Sequence, residues 1–328
     1  MAWRTDATRT GLVRARATAW NYGVMDAGVH LPLIDFGGEG FSHRRLAETV
    51  NAARECGFAA VSANDHFLFS VPWLDGLTAL AAVADQSGEM KLMTSVALVT
   101  LRGPTALAKA LSALDILSGG RVIAGLGPGS SRGRLRGGRA AVRATVAALR
   151  RGGPADQGHA PARASRWRSG RRAVAAATAS RGIPLWIGSW GSRAGLRRVA
   201  CLGDGWLASA YNTTPEGFAA NIKILDGELQ RQQRRPGDFP NALVTMWTWI
   251  TGSRSDAERV LSGIVAPPVG RDPAELRGRI CVGSALECAE LLSRYARAGC
   301  QRVQFWPLGD ERRQIELIAG EVLPRVSC

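Results

Sequence analysis

Short apolar runs rich in β-branched residues alternate with longer amphipathic stretches along most of this chain. The short runs predict strands, and the longer stretches repeat apolar residues at three- and four-residue spacing, which predicts helices. The predicted strands are 27–33, 59–63, 91–99, 122–126, 183–187, 205–208, 243–250 and 302–307. The predicted helices are 44–55, 76–86, 105–117, 192–201, 215–233, 255–265, 286–298 and 311–323. Repeated βα units favour an α/β fold with parallel strands, a TIM-like (β/α)8 barrel, over the alternative of an open doubly wound sheet.

Two segments interrupt this regular pattern. Residues 1–24 carry four arginines against Asp6 and have no clear period, so we expect a loose basic N-terminal tail, with Met1 and Met25 both open as the translation start. Residues 132–181 hold 13 arginines, no lysine and one acid, Asp156, and we expect an irregular Arg/Ala/Gly-rich segment in which 139–151 has a composition compatible with a helix. The helix after the fourth strand is therefore expected to be altered, within a single barrel domain over 25–328.

The net charge of +15 comes from these same two segments. They contribute +3 and +12, which leaves 25 basic and 25 acidic residues in the rest of the chain. This balance argues against a specific nucleic-acid partner, although a basic nucleic-acid-associated protein remains an alternative. The sequence has no apolar run long enough for a membrane span and no secretory signal, so we expect a cytoplasmic protein. Six cysteines without C-x-x-C spacing are expected to be reduced thiols, and four scattered histidines predict no metal site.

Polar and glycine-rich residues follow several of the predicted strands. In a parallel barrel the functional groups lie at the carboxyl ends of the strands. The second strand leads into Asp65 and His66, an acid and an imidazole suited to general acid–base chemistry or to contact with a ligand ring. A structural Asp-His pair that caps the loop is the alternative.

Two glycine-rich turns are candidates for cofactor binding. The turn after the fourth strand contains Gly127 and Gly129, where the backbone can approach a ligand closely. The turn after the fifth strand enters a helix whose first amides can bind phosphate. It contains Gly188, Ser189, Trp190, Gly191 and Ser192. The sequence lacks G-x-x-x-x-G-K-[ST], H-E-x-x-H and G-x-S-x-G, so an organic cofactor that supplies the reactivity is the better interpretation.

Several of these segments together resemble the bacterial-luciferase-like flavin oxidoreductases. The most specific is DILSGGRVIAGLGPGS over 115–130, and GVHLPL, SANDHF, IPLWIGSWGS and LGDGW occur in the same order as in that family. The resemblance covers 27–131 and 183–325. It implies a TIM-like barrel that binds FMN or the deazaflavin coenzyme F-420, with NAD(P)H as a further reductant, a small organic substrate and the option of a homodimer.

The resemblance also implies roles for individual residues. Asp65 and His66 match the place where family members have polar or catalytic groups near the flavin; luciferases themselves have two histidines there, so light emission is not implied. Ser95 and Val96 match a non-prolyl cis peptide behind the flavin ring. Gly188–Ser192 match the phosphate-binding turn, and Gly127 and Gly129 match a turn beside the cofactor.

Residues 132–181 depart from the family pattern. Residues 132–153 can be back-translated with GC-rich codons and translated again in the frame that starts one nucleotide later. This shifted frame permits Tyr, Phe, Trp and an Asp-Glu pair in the order that the family has at this place. We therefore interpret the segment as the product of a compensated frameshift, with a genuine basic insertion as the alternative. Loss of a buried helix there predicts a barrel that folds marginally or binds its cofactor poorly.

The function predicted from the sequence is a luciferase-like monooxygenase or oxidoreductase. It would use reduced flavin for hydride transfer or dioxygen activation on a small organic substrate. A deazaflavin-dependent hydride-transfer enzyme is the alternative within enzymes, and an inactive barrel remnant is an alternative outside them.

Overall fold

The computed structural model describes residues 25–36, 38–67, 71–129, 138–150 and 182–327. Within these ranges, no helix is both long enough and apolar enough to cross a membrane. The sequence predictions for 1–24 and for most of 132–181 lie outside the described residues.

Parallel strands form a closed barrel. In sheet order the barrel strands are β10 (Arg302–Pro307), β1 (Asp26–His30), β2 (Ala60–Ala63), β3 (Lys91–Thr94), β5 (Val122–Gly127), β6 (Leu185–Gly188), β7 (Gly205–Ser209) and β8 (Asn241–Ile250). Pairing of β8 with β10 closes the ring. Two short strands lie beside it: β4 (Ala97–Leu98) pairs with β5, and β9 (Cys281–Gly283) pairs with β8. The architecture is thus the predicted TIM-like barrel.

Helices follow the strands around the barrel. They are α1 (His43–Glu55), α2 (Gly76–Ala82), α3 (Val99–Arg102), α4 (Pro104–Leu117), α5 (Gly138–Arg150), α6 (Arg193–Leu202), α7 (Pro215–Arg231), α8 (Arg254–Val260), α9 (Ala266–Val269), α10 (Pro273–Leu276), α11 (Ala285–Arg297) and α12 (Glu311–Leu317). Side chains of Ser42, Ser192 and Ser284 cap α1, α6 and α11 by accepting backbone N–H bonds. Helices α8 and α12 continue as π-turns over Leu261–Val265 and Ile318–Val322.

Alternation along the strands separates two apolar clusters. Residues such as Leu185 and Ile187 join the large core beneath the helices, while Trp186 between them belongs to a second cluster. Members of this inner cluster come from five barrel strands and are Met93, Ile123, Trp186, Leu207, Ala242 and Val244. At the amino end of the strands Arg302 donates to Asp26 at 3.3 Å. Side chains therefore fill the inside of the barrel at the amino ends of the strands. The polar residues predicted for the site lie at the carboxyl ends.

Each of the eight predicted barrel strands is confirmed. The long strand predicted over 91–99 is wrong in one respect, because it breaks into β3 and β4 around a cis peptide between Ser95 and Val96. The predicted helices occur with shifts of a few residues at their ends, the largest at 76–86, where α2 ends at Ala82.

Helix α5 corrects one expectation about the arginine-rich segment. Over 138–150 the chain is helical rather than irregular, which agrees with the composition noted for 139–151. Val142 and Val146 are buried because they lie four residues apart on one helix face, and α5 packs on α3 and α4. The described part of the segment therefore still supplies a helix with a buried face.

Candidate active site

The carboxyl ends of the barrel strands bring the predicted residues to one end of the barrel. Asp65 and His66 follow β2, Ser95 and Val96 follow β3, and Gly127 ends β5. Gly188 ends β6, and the turn to Ser192 follows it. This end of the barrel, here called the mouth, is where (β/α)8 enzymes place their active sites.

Asp65 is buried and both of its carboxylate oxygens are engaged. Nε of Arg102 donates to Oδ2 at 2.6 Å and Nη2 donates to Oδ1 at 2.9 Å, a bidentate pair. The backbone N–H of Leu98 also donates to Oδ2, at 3.1 Å. Asp65 therefore ties the end of β2 to β4, and this arrangement favours positioning over proton transfer.

Arg102 extends the pair to a second carboxylate, Asp75. Burial opposes ionisation of Asp75, but hydrogen bonds from Thr78 and from Arg102 outweigh it and lower the pKa of this carboxyl. Burial likewise disfavours the charged form of Arg102, yet its bonds to the two carboxylates raise the pKa of the guanidinium. The three charges form one network beneath the loop that carries His66.

His66 is half-buried at the mouth, next to the engaged Asp65. Its ring centroid lies 4.3 Å from that of Trp73, with the planes tilted by 44°. Partial exposure leaves this imidazole accessible to a molecule entering the mouth. Of the two residues predicted to be catalytic, His66 is the more exposed.

The cis peptide predicted from the family resemblance is present between Ser95 and Val96. The Val96 side chain lies against Gly127 and Gly188; a Cβ added to them would come within 2.5 and 3.0 Å of Val96 methyl carbons. These two glycines thus make room for Val96. The buried Ser95 hydroxyl has no hydrogen-bond partner within the described residues.

The turn over Gly188–Ser192 has the features of an anion site at a helix N-terminus. Ser192 caps α6 by accepting from the N–H of Gly195 at 3.2 Å, and Ser189 Oγ accepts from the N–H of Gly191 at 3.3 Å. Both hydroxyls keep their own hydrogen for donation to a ligand. Gly191 has a φ of 97°, and the Trp190 side chain is exposed. Gly129, with φ 89°, lies at the edge of the described residues.

Sequence reasoning missed His30, at the end of β1. Its Nδ1 donates to the carbonyl of Leu31 at 2.7 Å and its Nε2 accepts from the N–H of Asn64 at 3.0 Å, which fixes one neutral tautomer. Burial, the largest cause, lowers the pKa of His30 to about 3 despite these hydrogen bonds. The ring stacks on Trp306 at 3.7 Å. His30 is therefore a neutral structural element of the mouth.

Sequence reasoning also missed the aromatic wall formed by β8 and β10. Trp247 and Trp306 are register partners on these strands, and their ring centroids lie 6.2 Å apart. Gln304, two residues before Trp306, is fully buried with both amide atoms unpartnered among the described residues. The sequence VQFWP, over 303–307, could have indicated this wall, because Gln304 and Trp306 are two residues apart and so lie on the same face of the strand. Within the described ranges, no cluster of His, Cys, Asp and Glu could hold a metal.

The chain is similar to several cofactor-dependent oxidoreductases. A stretch of 100 residues is 36% identical to an F420-dependent glucose-6-phosphate dehydrogenase of Amycolatopsis mediterranei, covering 28% of this chain and 29% of that protein. The fold matches an F420-dependent secondary alcohol dehydrogenase with a TM-score of 0.74, at 15% identity over 93% of this chain and all of the other.

A further match is a type II Baeyer-Villiger monooxygenase from the CAM plasmid of Pseudomonas putida, solved with FMN. Its TM-score is 0.65, at 14% identity over 92% of this chain and 99% of the other. These two structural likenesses establish the fold. Residues 25–271 match the model of the luciferase-like monooxygenases, and the chain belongs to that family.

Proposed function

We propose that this protein is an oxidoreductase that works with reduced FMN or with the deazaflavin coenzyme F-420. A bound reduced flavin supplies hydride or activates dioxygen, and a reduced deazaflavin supplies hydride. NAD(P)H is the proposed source of electrons, a small organic molecule the proposed substrate, and the cytoplasm the proposed location. The deazaflavin alternative rests on the relative from Amycolatopsis mediterranei.

The observation that carries this proposal is a pair of unpartnered polar atoms at the ends of adjacent strands. Among the described residues, Asn64 Oδ1, after β2, and Ser95 Oγ, after β3, are both buried without a hydrogen-bond partner. Buried polar atoms in folded proteins are nearly always paired, so a ligand that offers both donors and acceptors is indicated here. The heterocyclic ring of a flavin or a deazaflavin carries both along its polar edge.

The phosphate end of either cofactor fits the turn over Gly188–Ser192. The first amides of α6 and the free hydroxyl hydrogens of Ser189 and Ser192 are suited to an anion. Both cofactors carry a phosphate on a chain attached to the ring. Gly127, Gly129 and Trp190 remain proposed contacts near this chain.

His66 is the proposed proton donor or acceptor. Its half-buried ring reaches the mouth, while Asp65 is held by Arg102 and by the backbone of Leu98. We assign Asp65 the role of positioning His66 and the segment after β3. His66→Asn would then reduce turnover with little effect on cofactor binding, measured by comparing kcat with the cofactor dissociation constant.

The absorption spectrum of the purified full chain tests the proposal. After incubation with FMN or with the deazaflavin and removal of free cofactor, we expect one of them to remain with the protein. Hydrogen bonds to charged groups contribute about 1.5–3 kcal/mol, so Ser189→Ala with Ser192→Ala should weaken binding at least about tenfold. Ser284→Ala, which removes the cap of α11, is the matched control and should leave cofactor binding unchanged.

Four outcomes, three from cofactor binding and one from a DNA column, decide between the alternatives. Retention of FMN with NAD(P)H-dependent oxygen uptake supports the flavin enzyme, and quenching of deazaflavin fluorescence supports the deazaflavin enzyme. Binding of neither cofactor supports an inactive barrel remnant. Steeply salt-dependent retention on DNA, instead of either, would support a nucleic-acid-associated protein.

We propose separately that residues 132–181 are the product of a compensated frameshift. This proposal is supported by the arginine bias of the segment and by the family-like order of residues in the shifted frame. Resequencing the coding DNA around codons 131 and 170–181 tests it, since an unchanged reading would indicate a genuine basic insertion. Homodimer formation stays a proposal as well, tested by the mass in solution.

A further inference from the structure

Flat aromatic surfaces cover the mouth beside β8 and β10. Trp306 stacks on His30 at 3.7 Å, and Tyr211 stacks on Trp247 at 4.9 Å with the planes only 14° apart. Phe36 meets Trp306 edge-on at 6.4 Å. Tyr211, in a short 3-10 helix after β7, and Phe36, in the loop after β1, are half-buried, whereas the two tryptophans are buried. Such surfaces favour a ligand with a cyclic apolar body.

Two indole N–H groups in this wall have no acceptor within the described residues: Nε1 of Trp247 and Nε1 of Trp306. Other indoles of the barrel are satisfied, since Trp206 donates to the carbonyl of Ser189 at 3.1 Å and Trp249 donates to Asp256 at 2.6 Å. Because buried N–H groups are nearly always bonded, two orphaned donors on neighbouring strands indicate an acceptor from outside the chain.

The charges around the mouth favour an uncharged acceptor. Three of the arginines that the structure describes at this end are each already paired with at least one carboxylate: Arg102 with Asp65 and Asp75, Arg45 with Asp35 and Glu311, and Arg271 with Glu275. An anionic substrate group would therefore compete with existing ion pairs. Neutral indole donors suit a carbonyl oxygen, which has two lone pairs and can accept from both.

We propose that the mouth binds an uncharged cyclic carbonyl compound whose oxygen accepts hydrogen bonds from the indoles of Trp247 and Trp306. The ring of this compound takes the face of Trp247 that Tyr211 now covers, and the half-buried Tyr211 ring turns aside. The inference rests on the proposed function, because it names the substrate class of the same site. It distinguishes the chain from an enzyme for sugar phosphates.

Indole N–H signals of the full-length protein give a test that does not depend on turnover. With 15N-labelled tryptophan, the ten indoles are followed while acetophenone is added, and ethylbenzene serves as the matched molecule without the oxygen. We expect the Trp247 and Trp306 N–H protons to move downfield with acetophenone and much less with ethylbenzene. Trp247→Phe and Trp306→Phe assign the signals.

The same variants give the expected size of the effect. A net hydrogen bond corresponds to about a fivefold change in affinity, so each variant should weaken acetophenone binding about fivefold and leave ethylbenzene binding nearly unchanged. Trp249→Phe is the control on the same strand, because its indole is already bound to Asp256. It should change neither affinity.

Two results would overturn the inference: no movement of the two wild-type signals with acetophenone, or equal movement with both probes. The cofactor spectrum separates this failure from failure of the proposed function. Retained cofactor without ketone binding rejects the substrate class alone. Ketone binding without retained cofactor rejects the flavin assignment alone.

Discussion

The buried ring of His30 links the stability of this barrel to pH. The folded chain keeps the ring neutral, since burial lowers its pKa to about 3, with Nδ1 donating to Leu31 and Nε2 accepting from Asn64. In the unfolded chain the same ring takes a proton near its ordinary pKa of about 6.5. Stability from this group is thus fully present above about pH 6.5 and is lost as the pH falls toward 3.

The size of the loss follows from the difference in proton binding. At about pH 5 the unfolded ring is protonated and the folded ring is not. This pH lies about 1.5 units below the pKa of the unfolded ring, so the free energy of unfolding is lowered by about 2 kcal/mol. Carboxyl groups such as Asp35 and Asp75, whose pKa values are lowered in the fold, add their own losses mainly at more acidic pH. The interval between about pH 5 and 7 therefore separates the effect of His30 from that of these carboxyl groups.

Urea unfolding at several pH values in this interval measures the effect. His30→Gln keeps an acceptor for the N–H of Asn64 but cannot take a proton. Between about pH 7 and 5 its free energy of unfolding should therefore fall by about 2 kcal/mol less than that of the wild type. Equal slopes for wild type and His30→Gln, or an NMR titration of the His30 ring near neutral pH, would refute the reasoning.

Two other predictions concern the stability of the barrel, through a buried ion pair and through close packing at a glycine. Arg102→Ala leaves the buried Asp65 charge uncompensated and should destabilise the fold by about 3–5 kcal/mol, whereas Arg150→Ala, which breaks an exposed pair, should cost at most about 1 kcal/mol in thermal or urea unfolding. A Cβ at Gly125 would meet the backbone oxygen of Thr94 at 1.8 Å, so Gly125→Ala should destabilise by at least about 1–3 kcal/mol. Gly227→Ala meets no atom within 4 Å in the middle of α7 and should stabilise by about 1 kcal/mol; the opposite order would contradict the packing argument.

The barrel was predictable because strand and helix periods are local properties of the sequence. Runs such as 122–126 and 302–307 carry β-branched and aromatic residues at the spacing of a buried strand, and the structure has strands there. The break at Ser95–Val96 came only from the family resemblance, since no propensity distinguishes those residues from a continuous strand. Local pattern thus located the elements, and resemblance located the irregular bond.

The roles within the site depended on contacts that the sequence does not reveal. Asp65 and His66 are neighbours in the chain, yet Arg102, from a helix more than thirty residues later, engages the carboxylate and leaves the imidazole accessible. Likewise, the sequence suggested that Gly127 and Gly188 approach a cofactor, while the structure places Val96 against both of them. Long-range partners, rather than residue type, decide which group is available for chemistry.

Helix α5 shows how a biased sequence can still satisfy a fold. Among the described residues of this segment, Val142 and Val146 lie on the buried face and Thr145 bonds to the carbonyl of Ala141. Burying a valine contributes about 1.5–3 kcal/mol. The two valines together are therefore a sizeable part of the free energy of unfolding of a typical domain, about 5–15 kcal/mol. Arginines are tolerated on the opposite face because their charged ends reach water; Arg150, for instance, donates to Leu202 O and Asp204 beside α6. A frameshift in this region would therefore still leave a helix that packs on α4, because the two valines give α5 a buried face.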